Sequence, residues 1–243
     1  MSRKAMIFAA GLGTRLKPLT DHKPKALVEI GTTPLLQVII NRLKHFGFDD
    51  LIINIHHFGG QILDFLKAHD NFGVAITISD ERGLLLDTGG GLKKAGSFFN
   101  DGKPFLVHNV DILSDLNLRL LYENHVRHRP LVTMAAMDRP TSRSLLVNCE
   151  NELCGWRNNI SGELKHMSGD LESLTPIAYD GIQVADPALF PKITEDGVFS
   201  IIDTYLRLCK TEKIRVYKHD GFWMDLGKKE NFEEAAKYLP GLQ

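Results

Sequence analysis

A short glycine-containing segment near the start of the chain, followed by two cations, has the composition of a phosphate-binding loop. Gly11 and Gly13 follow the apolar run 5–10, and Arg15 and Lys25 come next in the sequence. Glycines allow positive φ angles, so several backbone N–H groups can approach one anion. Arginine and lysine add charge-assisted hydrogen bonds to phosphate oxygens. The segment predicts a polyphosphate site; the alternative is an ordinary strand–turn–helix with solvated cations.

The spacing of this loop excludes two better-known phosphate loops. No stretch has the Gly-x-x-x-x-Gly-Lys-Ser/Thr pattern of a P-loop. The dinucleotide pattern Gly-x-Gly-x-x-Gly fails because Leu16 stands at its third glycine and Pro18 soon interrupts the helix that it would open. The partners of the loop must therefore be sought further along the chain.

Two acidic residues occupy apolar surroundings that suit a metal site better than a core. Asp111 follows the apolar segment 105–107, and Asp225 is the one carboxylate of the segment 222–227. Two carboxylates together with substrate phosphates would complete an octahedral, water-rich Mg²⁺ site. The alternative for each aspartate is that it caps the helix that follows it.

A run of three glycines, Gly89–Gly91, follows Asp87 and Thr88 and precedes a helical turn that contains Lys93 and Lys94. Consecutive glycines are costly in chain entropy. They predict backbone that lies flat against a planar ligand such as a base, and a flexible surface turn is the competing interpretation.

Composition limits the class of protein. The chain has 243 residues, 43% hydrophobic and 24% charged, which fits one large α/β domain. A net charge of -1, from 29 basic and 30 acidic residues, argues against nucleic-acid binding through a basic field. A local cationic pocket for a small anion is compatible with this balance.

Cysteine usage and hydropathy indicate a cytoplasmic protein without a membrane partner. The three cysteines contain no CxxC pair, which favours a reducing compartment. The apolar stretch at the start is shorter than that of a signal peptide and runs directly into Gly11. No stretch approaches the roughly 18 apolar residues of a transmembrane helix.

Alternating strand and helix patterns predict a parallel or mixed sheet with helices on both faces. The predicted strands up to residue 137 are 5–10, 51–55, 74–79, 104–108 and 131–137, and the helices are 34–46, 61–68 and 116–128. Short strands at 143–149, 152–158, 162–167 and 174–184 predict a β-rich layer, and helices return at 198–209 and 228–238. Ligands of such sheets bind at the carboxyl ends of strands, where Gly11–Arg15, His56-His57 and Asn109–Asp111 fall.

With these motifs the chain resembles the sugar-1-phosphate nucleotidyltransferases. Their opening pattern, Ala-x-Gly-x-Gly-Thr-Arg-Leu then Pro-Lys-x-Leu, is present as Ala9–Leu16 and Pro24–Leu27. Thr88–Gly91 and the Trp-x-Asp-x-Gly segment Trp223–Gly227 also match. The similarity extends from residue 5 to about 238. The chain is most similar to the short bacterial enzymes that act on N-acetylmuramate-1-phosphate.

The resemblance implies a fold, a reaction and a set of site residues. The implied fold is α/β, Rossmann-like and three-layered, with a mixed, mostly parallel sheet. It is a single domain over 1–243, in which about 1–140 binds nucleotide and about 141–243 is a small β-rich sugar-binding part with the C-terminal helices. The implied nucleotide-binding residues are Ala10, Gly11, Gly13, Thr14, Arg15, Lys25, Gly90 and Asn109. Arg15 and Lys25 act on the phosphates as catalytic residues, Asp111 and Asp225 bind Mg²⁺, and Gly181 lines the sugar pocket.

The implied reaction joins a nucleoside triphosphate and a sugar-1-phosphate to give a nucleotide sugar and pyrophosphate. Uridylyl transfer to N-acetylmuramate-1-phosphate or a similar sugar phosphate, in cell-wall metabolism, is the first expectation. A mannose- or heptose-1-phosphate guanylyltransferase is the alternative within the same chemistry. A catalytically silent nucleotide-sugar sensor and a dinucleotide-dependent oxidoreductase are alternatives of other classes; the loop spacing disfavours the oxidoreductase.

The sequence also departs from the family pattern at three places. Val110 replaces the glycine that usually precedes the first metal aspartate, and Asp87 stands where the subgroup often has glutamate. The Glu-Lys-Pro segment, whose lysine binds the sugar phosphate in many relatives, is absent. Arg143 or Lys165 is the candidate substitute. The base, the sugar and the oligomeric state are left open by the sequence.

Overall fold

The computed structural model describes residues 2–239. Its helices are α1 (Leu35–His45), α2 (Gly59–Ala68), α3 (Asp87–Lys94), α4 (Leu118–His128), α5 (Ile201–Leu208) and α6 (Glu230–Ala235). The first seven strands are β1 (Arg3–Phe8), β2 (Glu29–Ile30), β3 (Thr33–Pro34), β4 (Phe48–Ile55), β5 (Ala75–Asp80), β6 (Phe105–Asn109) and β7 (Ile112–Ser114). The remaining strands are β8 (Val132–Met137), β9 (Arg143–Val147), β10 (Leu153–Asn158), β11 (Leu164–His166), β12 (Thr175–Ala185), β13 (Ile214–Lys218) and β14 (Trp223–Asp225).

The chain divides into two units, each built from more than one chain segment. Unit 1 contains the chain up to Leu85, the segment Val107–Leu118 and the described residues from Gly221 onward. Unit 2 contains Leu86–Leu106 and Arg119–Asp220. The expected assignment of the first part to nucleotide and the second to sugar stays a prediction.

Unit 1 is organised around parallel strands. β1 pairs with β4 and β4 pairs with β5, both in parallel register. The middle of β1 and the run 51–53 of β4 are buried, as expected for strands covered on both faces. The end of β6 lies beside β1, since the Val110 N–H donates to the Phe8 carbonyl at 3.1 Å. The carboxyl ends of β1, β4 and β6 therefore meet at one edge.

Helix α1 has two sequence features that favour a helix: a proline directly before its first residue and apolar residues along one face. Pro34 precedes it in extended conformation, where the missing N–H of proline costs the helix nothing. Leu36, Ile39 and Leu43 are fully buried, and the helix packs against β4. Gly47, at φ 80°, turns the chain into β4 just past the helix end.

Unit 2 has mainly antiparallel pairings. β8 pairs with β12 antiparallel and with β13 parallel. β12 also pairs with β9, β9 pairs with β10, and β10 pairs with β11, and all three pairs are antiparallel. Helix α3 packs against α5, and Phe99, Phe105 and Phe190 stack on one another in the core. The β-rich character predicted for residues after about 140 is confirmed.

The α/β class with a mixed sheet is confirmed, and so is each predicted strand and helix, with ends that differ by a few residues. Six of the elements given above were not predicted: the short strands β2, β3, β7 and β14, the strand β13, and helix α3, which contains the three glycines instead of following them. No helix within residues 2–239 is both long enough and apolar enough to cross a membrane.

Candidate active site

The glycine loop after β1 is fixed by contacts that only glycine permits at its centre. Gly13 has φ 63°, in the left-handed region. A Cβ atom there would lie 2.8 Å from Thr20 Cγ2 and 3.1 Å from Lys25 Cβ. The Gly13 carbonyl accepts hydrogen bonds from the Thr20 hydroxyl and the Leu16 N–H, both at 2.9 Å. Thr14 begins the 3-10 turn that follows, and Gly11 is exposed.

Lys25 pairs with Asp111, 86 residues away in the sequence. Pro24 in extended conformation leads into a single 3-10 turn that starts at Lys25 and directs its side chain inward. The Lys25 ammonium donates to Asp111 Oδ2, and only 9% of the lysine side chain and 21% of the aspartate side chain are exposed. The sequence-predicted phosphate ligand and the first metal candidate are therefore in contact.

Asp225 is brought beside Asp111 by the short strand pair β7–β14. Asp225 lies opposite Ile112 in this antiparallel pair, and the Leu226 N–H donates to the Asp111 carbonyl at 2.8 Å. Asp225 Oδ2 is 4.0 Å from Arg15 Nη1. A Cβ atom on Gly227 would collide with the Arg15 guanidinium, so glycine there leaves room for the arginine.

Neither aspartate caps a helix. Asp111 is followed directly by strand β7. Asp225 Oδ1 accepts from the Gly227 N–H at 2.7 Å, and α6 begins only at Glu230. The capping alternatives for the two residues are therefore wrong.

The site combines two cations with two carboxylates, arranged as the pairs Lys25–Asp111 and Arg15–Asp225. Within the described residues, no cluster of three or more His, Cys, Asp or Glu side chains is positioned to hold a metal. Two neighbouring carboxylates are hard oxygen donors of the kind Mg²⁺ prefers, and Mg²⁺ usually keeps several waters and takes substrate phosphates as further ligands. The donor set therefore fits Mg²⁺ bound together with a phosphorylated substrate.

Asn54, near the end of β4, was missed by the sequence analysis. Its Oδ1 atom accepts from the Ala9 N–H at 2.7 Å and from the Ala10 N–H at 3.3 Å. Its Nδ2 group donates to Glu81 Oε1 at 2.8 Å. A lone amide inside the apolar run 51–55 was the signal that could have identified it, because a buried polar side chain needs partners.

Burial beneath the site keeps one histidine neutral. His108, just before Asn109 at the end of β6, is fully buried, and this desolvation lowers its pKa to about 4. Its Nδ1 atom lies 2.8 Å from the Asn109 carbonyl, which can only accept, so Nδ1 carries the proton. Asn109 itself is half-buried. His108 is therefore a structural residue at neutral pH.

Gly90 belongs to unit 2, and contacts within that unit are sufficient to explain why a glycine is needed at this position. A Cβ atom on Gly90 would collide with the Gly197 carbonyl, and one on Gly89 with the Phe199 ring. The Gly89 N–H also donates to the Phe199 carbonyl at 2.9 Å. The glycines let α3 approach the segment 197–199, so a flexible surface turn is wrong, and contact of Gly90 with a base stays a prediction.

Gly181, the predicted sugar-pocket residue, lies in unit 2 at an irregularity of β12. The pairing register between β12 and β8 shifts between Tyr179 and Gln183, and Gly181 has φ 75° there. Such a bulge with a left-handed residue favours glycine. The adjacent Asp180 is fully buried and is held by Arg139 at 3.0 Å and by His219 at 2.8 Å.

Unit 2 also contains an open cavity of about 440 Å³. It is lined by polar and aromatic residues, among them Arg143, Trp156, Lys165 and Asp203. Lys165 Nζ is 2.7 Å from Asp203 Oδ1 and 5.4 Å from the centre of the Trp156 ring. The Arg143 guanidinium has no hydrogen bond or ion pair within residues 2–239.

These features define a class of protein: an α/β protein whose glycine loop follows the first parallel strand and faces paired cations and carboxylates. Residues 4–144 match the family model described as "Nucleotidyl transferase". The match covers more than half of the chain, and the chain therefore belongs to the nucleotidyl transferase family. It is an enzyme of that family, and the resemblance stated from its motifs is confirmed.

A relative at 30% identity agrees with this assignment, and a solved structure shares the fold. The chain is 30% identical to N-acetylmuramate alpha-1-phosphate uridylyltransferase of Caulobacter vibrioides, over 92% of this chain and 91% of that protein. It is 27% identical to the mannose-1-phosphate guanyltransferase of Aspergillus oryzae, over 98% of this chain and 65% of that protein. The structure of HddC from Yersinia pseudotuberculosis complexed with GMP-PN has a TM-score of 0.77 at 20% identity, covering 97% of this chain and 98% of that one.

Proposed function

We propose that this enzyme transfers a uridylyl group from UTP to N-acetylmuramate-1-phosphate or a similar sugar-1-phosphate. A phosphate oxygen of the sugar phosphate attacks the α-phosphorus, the bond from that phosphorus to the bridging oxygen breaks, and pyrophosphate leaves. The observation that carries the reaction class is the pair of contacts Lys25–Asp111 and Arg15–Asp225 beside the glycine loop. The uridylyltransferase relative, matched over nearly the full length of both chains, supports this substrate pair.

Both cations are placed to exchange their carboxylate partners for phosphate oxygens. Arg15 is 63% exposed and 4.0 Å from Asp225, so moving it toward a phosphate costs little packing. Lys25 is held by Asp111, and its Cβ atom lies 3.1 Å from the position that a Cβ atom on Gly13 would occupy, which places it beside the loop. Stabilising the charge that develops around an α-phosphate is the largest contribution such a site can make.

Asp111 and Asp225 are the residues that would hold Mg²⁺ in this enzyme. Mg²⁺, when bound, supplies neutralisation of the triphosphate charge and helps pyrophosphate to leave. Lys25 and Arg15 lie next to these two carboxylates, so both cations are close enough to bind the phosphates of the same nucleotide, together with the N–H groups of the glycine loop.

The reaction needs no general base. The second ionisation of a phosphate monoester has a pKa of about 6, so the attacking oxygen is already charged near neutral pH. His108 is buried and its pKa is lowered to about 4, which agrees with a structural role. Catalysis then depends on positioning and charge neutralisation.

We assign binding of the sugar phosphate to the cavity of unit 2. Arg143 is the better candidate than Lys165 to bind an anionic group there, because Lys165 already pairs with Asp203. Trp156 offers an aromatic face for a sugar ring. A carboxylate such as that of N-acetylmuramate, or the sugar phosphate itself, would satisfy the Arg143 guanidinium.

Guanylyl transfer to mannose-1-phosphate is the second candidate, supported by the similarity to the Aspergillus oryzae guanyltransferase. This chain spans 65% of that protein, whereas it spans 91% of the Caulobacter uridylyltransferase. The match to the uridylyltransferase covers most of both proteins, and this favours uridylyl transfer.

A substrate matrix tests the proposal. Each of the four nucleoside triphosphates is incubated with Mg²⁺ and a panel of sugar-1-phosphates, and pyrophosphate release is measured. We expect the highest kcat/KM for UTP with N-acetylmuramate-1-phosphate. A preference for GTP with mannose-1-phosphate would replace this proposal by the second candidate, and no pyrophosphate with any pair would favour a silent nucleotide-sugar sensor.

A further inference from the structure

We infer that Asn54 is a positioning residue that sets the start of the glycine loop and is itself oriented by Glu81. This inference rests on the proposed function, because its consequence is measured on nucleotide binding. Asn54 lies opposite Phe8 in the β1–β4 pairing, at the last residue of β1. Beyond that point the chain leaves the sheet, and the Ala9 and Ala10 N–H groups turn to the Asn54 side chain.

The hydrogen bonds fix which end of the Asn54 amide faces the loop. Glu81 Oε1 accepts from Asn54 Nδ2 at 2.8 Å, which directs Oδ1 toward the Ala9 N–H at 2.7 Å. Asn54 and Glu81 are 3% and 1% exposed, so water does not compete for these groups. A buried amide held at both ends has one orientation.

Glu81 is held in place by the backbone of the neighbouring strand end. Its N–H donates to the Ile55 carbonyl at 2.8 Å. Its carbonyl accepts from His56 Nδ1 at 2.6 Å, and because a carbonyl only accepts, that nitrogen carries the proton. A chain of hydrogen bonds therefore connects the ends of β1, β4 and β5. It runs from His56 to Glu81, from Glu81 to Asn54, and from Asn54 to the start of the glycine loop.

This arrangement has a consequence for phosphate recognition. Asn54 already takes up the N–H groups of Ala9 and Ala10, so the loop donors directed to a phosphate begin at Gly11. Moving the start of the loop would displace those donors and the left-handed Gly13. Small displacements of binding groups have large effects on affinity and rate.

Kinetics of four variants test the inference. Asn54→Ala removes both ends of the link, and we expect the KM for the nucleoside triphosphate to rise by about tenfold or more while the KM for the sugar phosphate changes less than about twofold. Glu81→Ala should raise the KM for the nucleoside triphosphate by a smaller factor. Glu81→Gln keeps an acceptor for the Asn54 amide, so its KM for the nucleoside triphosphate should be close to that of the wild type. Ser79→Ala is the matched control, because Ser79 lies opposite Asn54 in β5 and its buried hydroxyl has no partner within residues 2–239.

Nucleotide affinity is also measured directly by titration with UTP, below the unfolding temperature of each variant. If Asn54→Ala does not fold, the comparison of Glu81→Ala with Glu81→Gln decides the matter. Unchanged nucleotide KM and affinity in a folded Asn54→Ala or Glu81→Ala protein would overturn the inference. Failure of the wild-type chain to bind or use any nucleotide would instead refute the proposed function.

Discussion

The replacement of Lys25 by methionine is the most informative single change at the site. Lys25→Met keeps an unbranched side chain of similar length and removes the charge. Loss of one electrostatic donor at a reacting group lowers the rate by about 10²–10³-fold, or roughly 3 kcal/mol. We expect a decrease of that size in kcat/KM, measured as pyrophosphate release from UTP and N-acetylmuramate-1-phosphate.

The same variant has a stability effect that can be worked from the structure. Removing one partner of a buried ion pair costs about 3–5 kcal/mol, and exposed pairs contribute about 0–1 kcal/mol. The Asp111 side chain keeps 21% exposure, so we expect Lys25→Met to lower the free energy of unfolding by an intermediate amount, about 2 kcal/mol. Adding Asp111→Asn removes the orphaned carboxylate, so the double variant should be more stable than Lys25→Met alone, as measured by denaturant titration.

Lys23→Met is the control for both measurements. Lys23 pairs with Glu29 at 3.7 Å on the surface, so we expect a change under about 1 kcal/mol in stability and under about twofold in rate. If Lys25→Met kept its kcat/KM within about threefold of the wild type, the assignment of Lys25 to the phosphates would be refuted. A double variant no more stable than Lys25→Met would refute the explanation through the orphaned carboxylate.

Three further predictions concern two residues of the glycine loop and one ion pair of unit 2. Arg15→Ala should lower kcat/KM by about 10²-fold while changing stability by less than about 1 kcal/mol, since Arg15 is 63% exposed; an equal loss of stability would contradict this. Gly13→Ala should destabilise by about 1–2 kcal/mol in denaturant titration because of its φ of 63° and the crowded Cβ position, whereas Gly11→Ala, with open space, should not; equal effects would contradict the packing explanation. The pKa of Glu195 is lowered from 4.5 to about 2, chiefly by its hydrogen bond from Arg207, so this pair stabilises the fold above about pH 4.5 and the contribution is lost as pH falls toward 2. Glu195→Gln should therefore flatten the fall of the unfolding midpoint over that window, and an unchanged slope would show that the pair contributes nothing.

Local patterns predicted the elements that hold the start of the site. The apolar run that ends at the glycine loop predicted β1. Pro34, followed by apolar residues at helical spacing, predicted α1. These signals are local because burial on a strand or a helix face repeats at a fixed period along the chain. The loop could also be located from local sequence, for a different reason: Gly13 occupies a backbone conformation that only glycine adopts without strain.

The parts of the site that depend on distant contacts could not be derived from such patterns. Asp225 reaches Asp111 through the pairing of two three-residue strands, which are too short to give a periodic signal. The resemblance to the family implies that both aspartates bind one metal ion, and this shared role stays a prediction. The contact of Lys25 with Asp111 likewise depends on how the whole chain packs.

The glycines of α3 illustrate the opposite difficulty. Their sequence predicted backbone lying against a base, and close packing on the segment 197–199 already accounts for Gly89 and Gly90, so contact with a base stays a prediction. A glycine required by a ligand and one required by a neighbouring backbone look identical in sequence. Asn54 was overlooked because a single polar residue in a strand does not reveal its partners.

Transfer of an α-phosphate label gives the most direct measurement of the central claim, that Lys25, Asp111, Arg15 and Asp225 form one nucleotidyl-transfer site. UTP labelled at the α-phosphorus is incubated with N-acetylmuramate-1-phosphate, Mg²⁺ and the wild type, Asp111→Asn or Asp225→Asn. We expect the label in a nucleotide sugar with the wild type and a yield at least about 10²-fold lower with each variant. Wild-type label released as free UMP, or aspartate variants as active as the wild type, would contradict the claim.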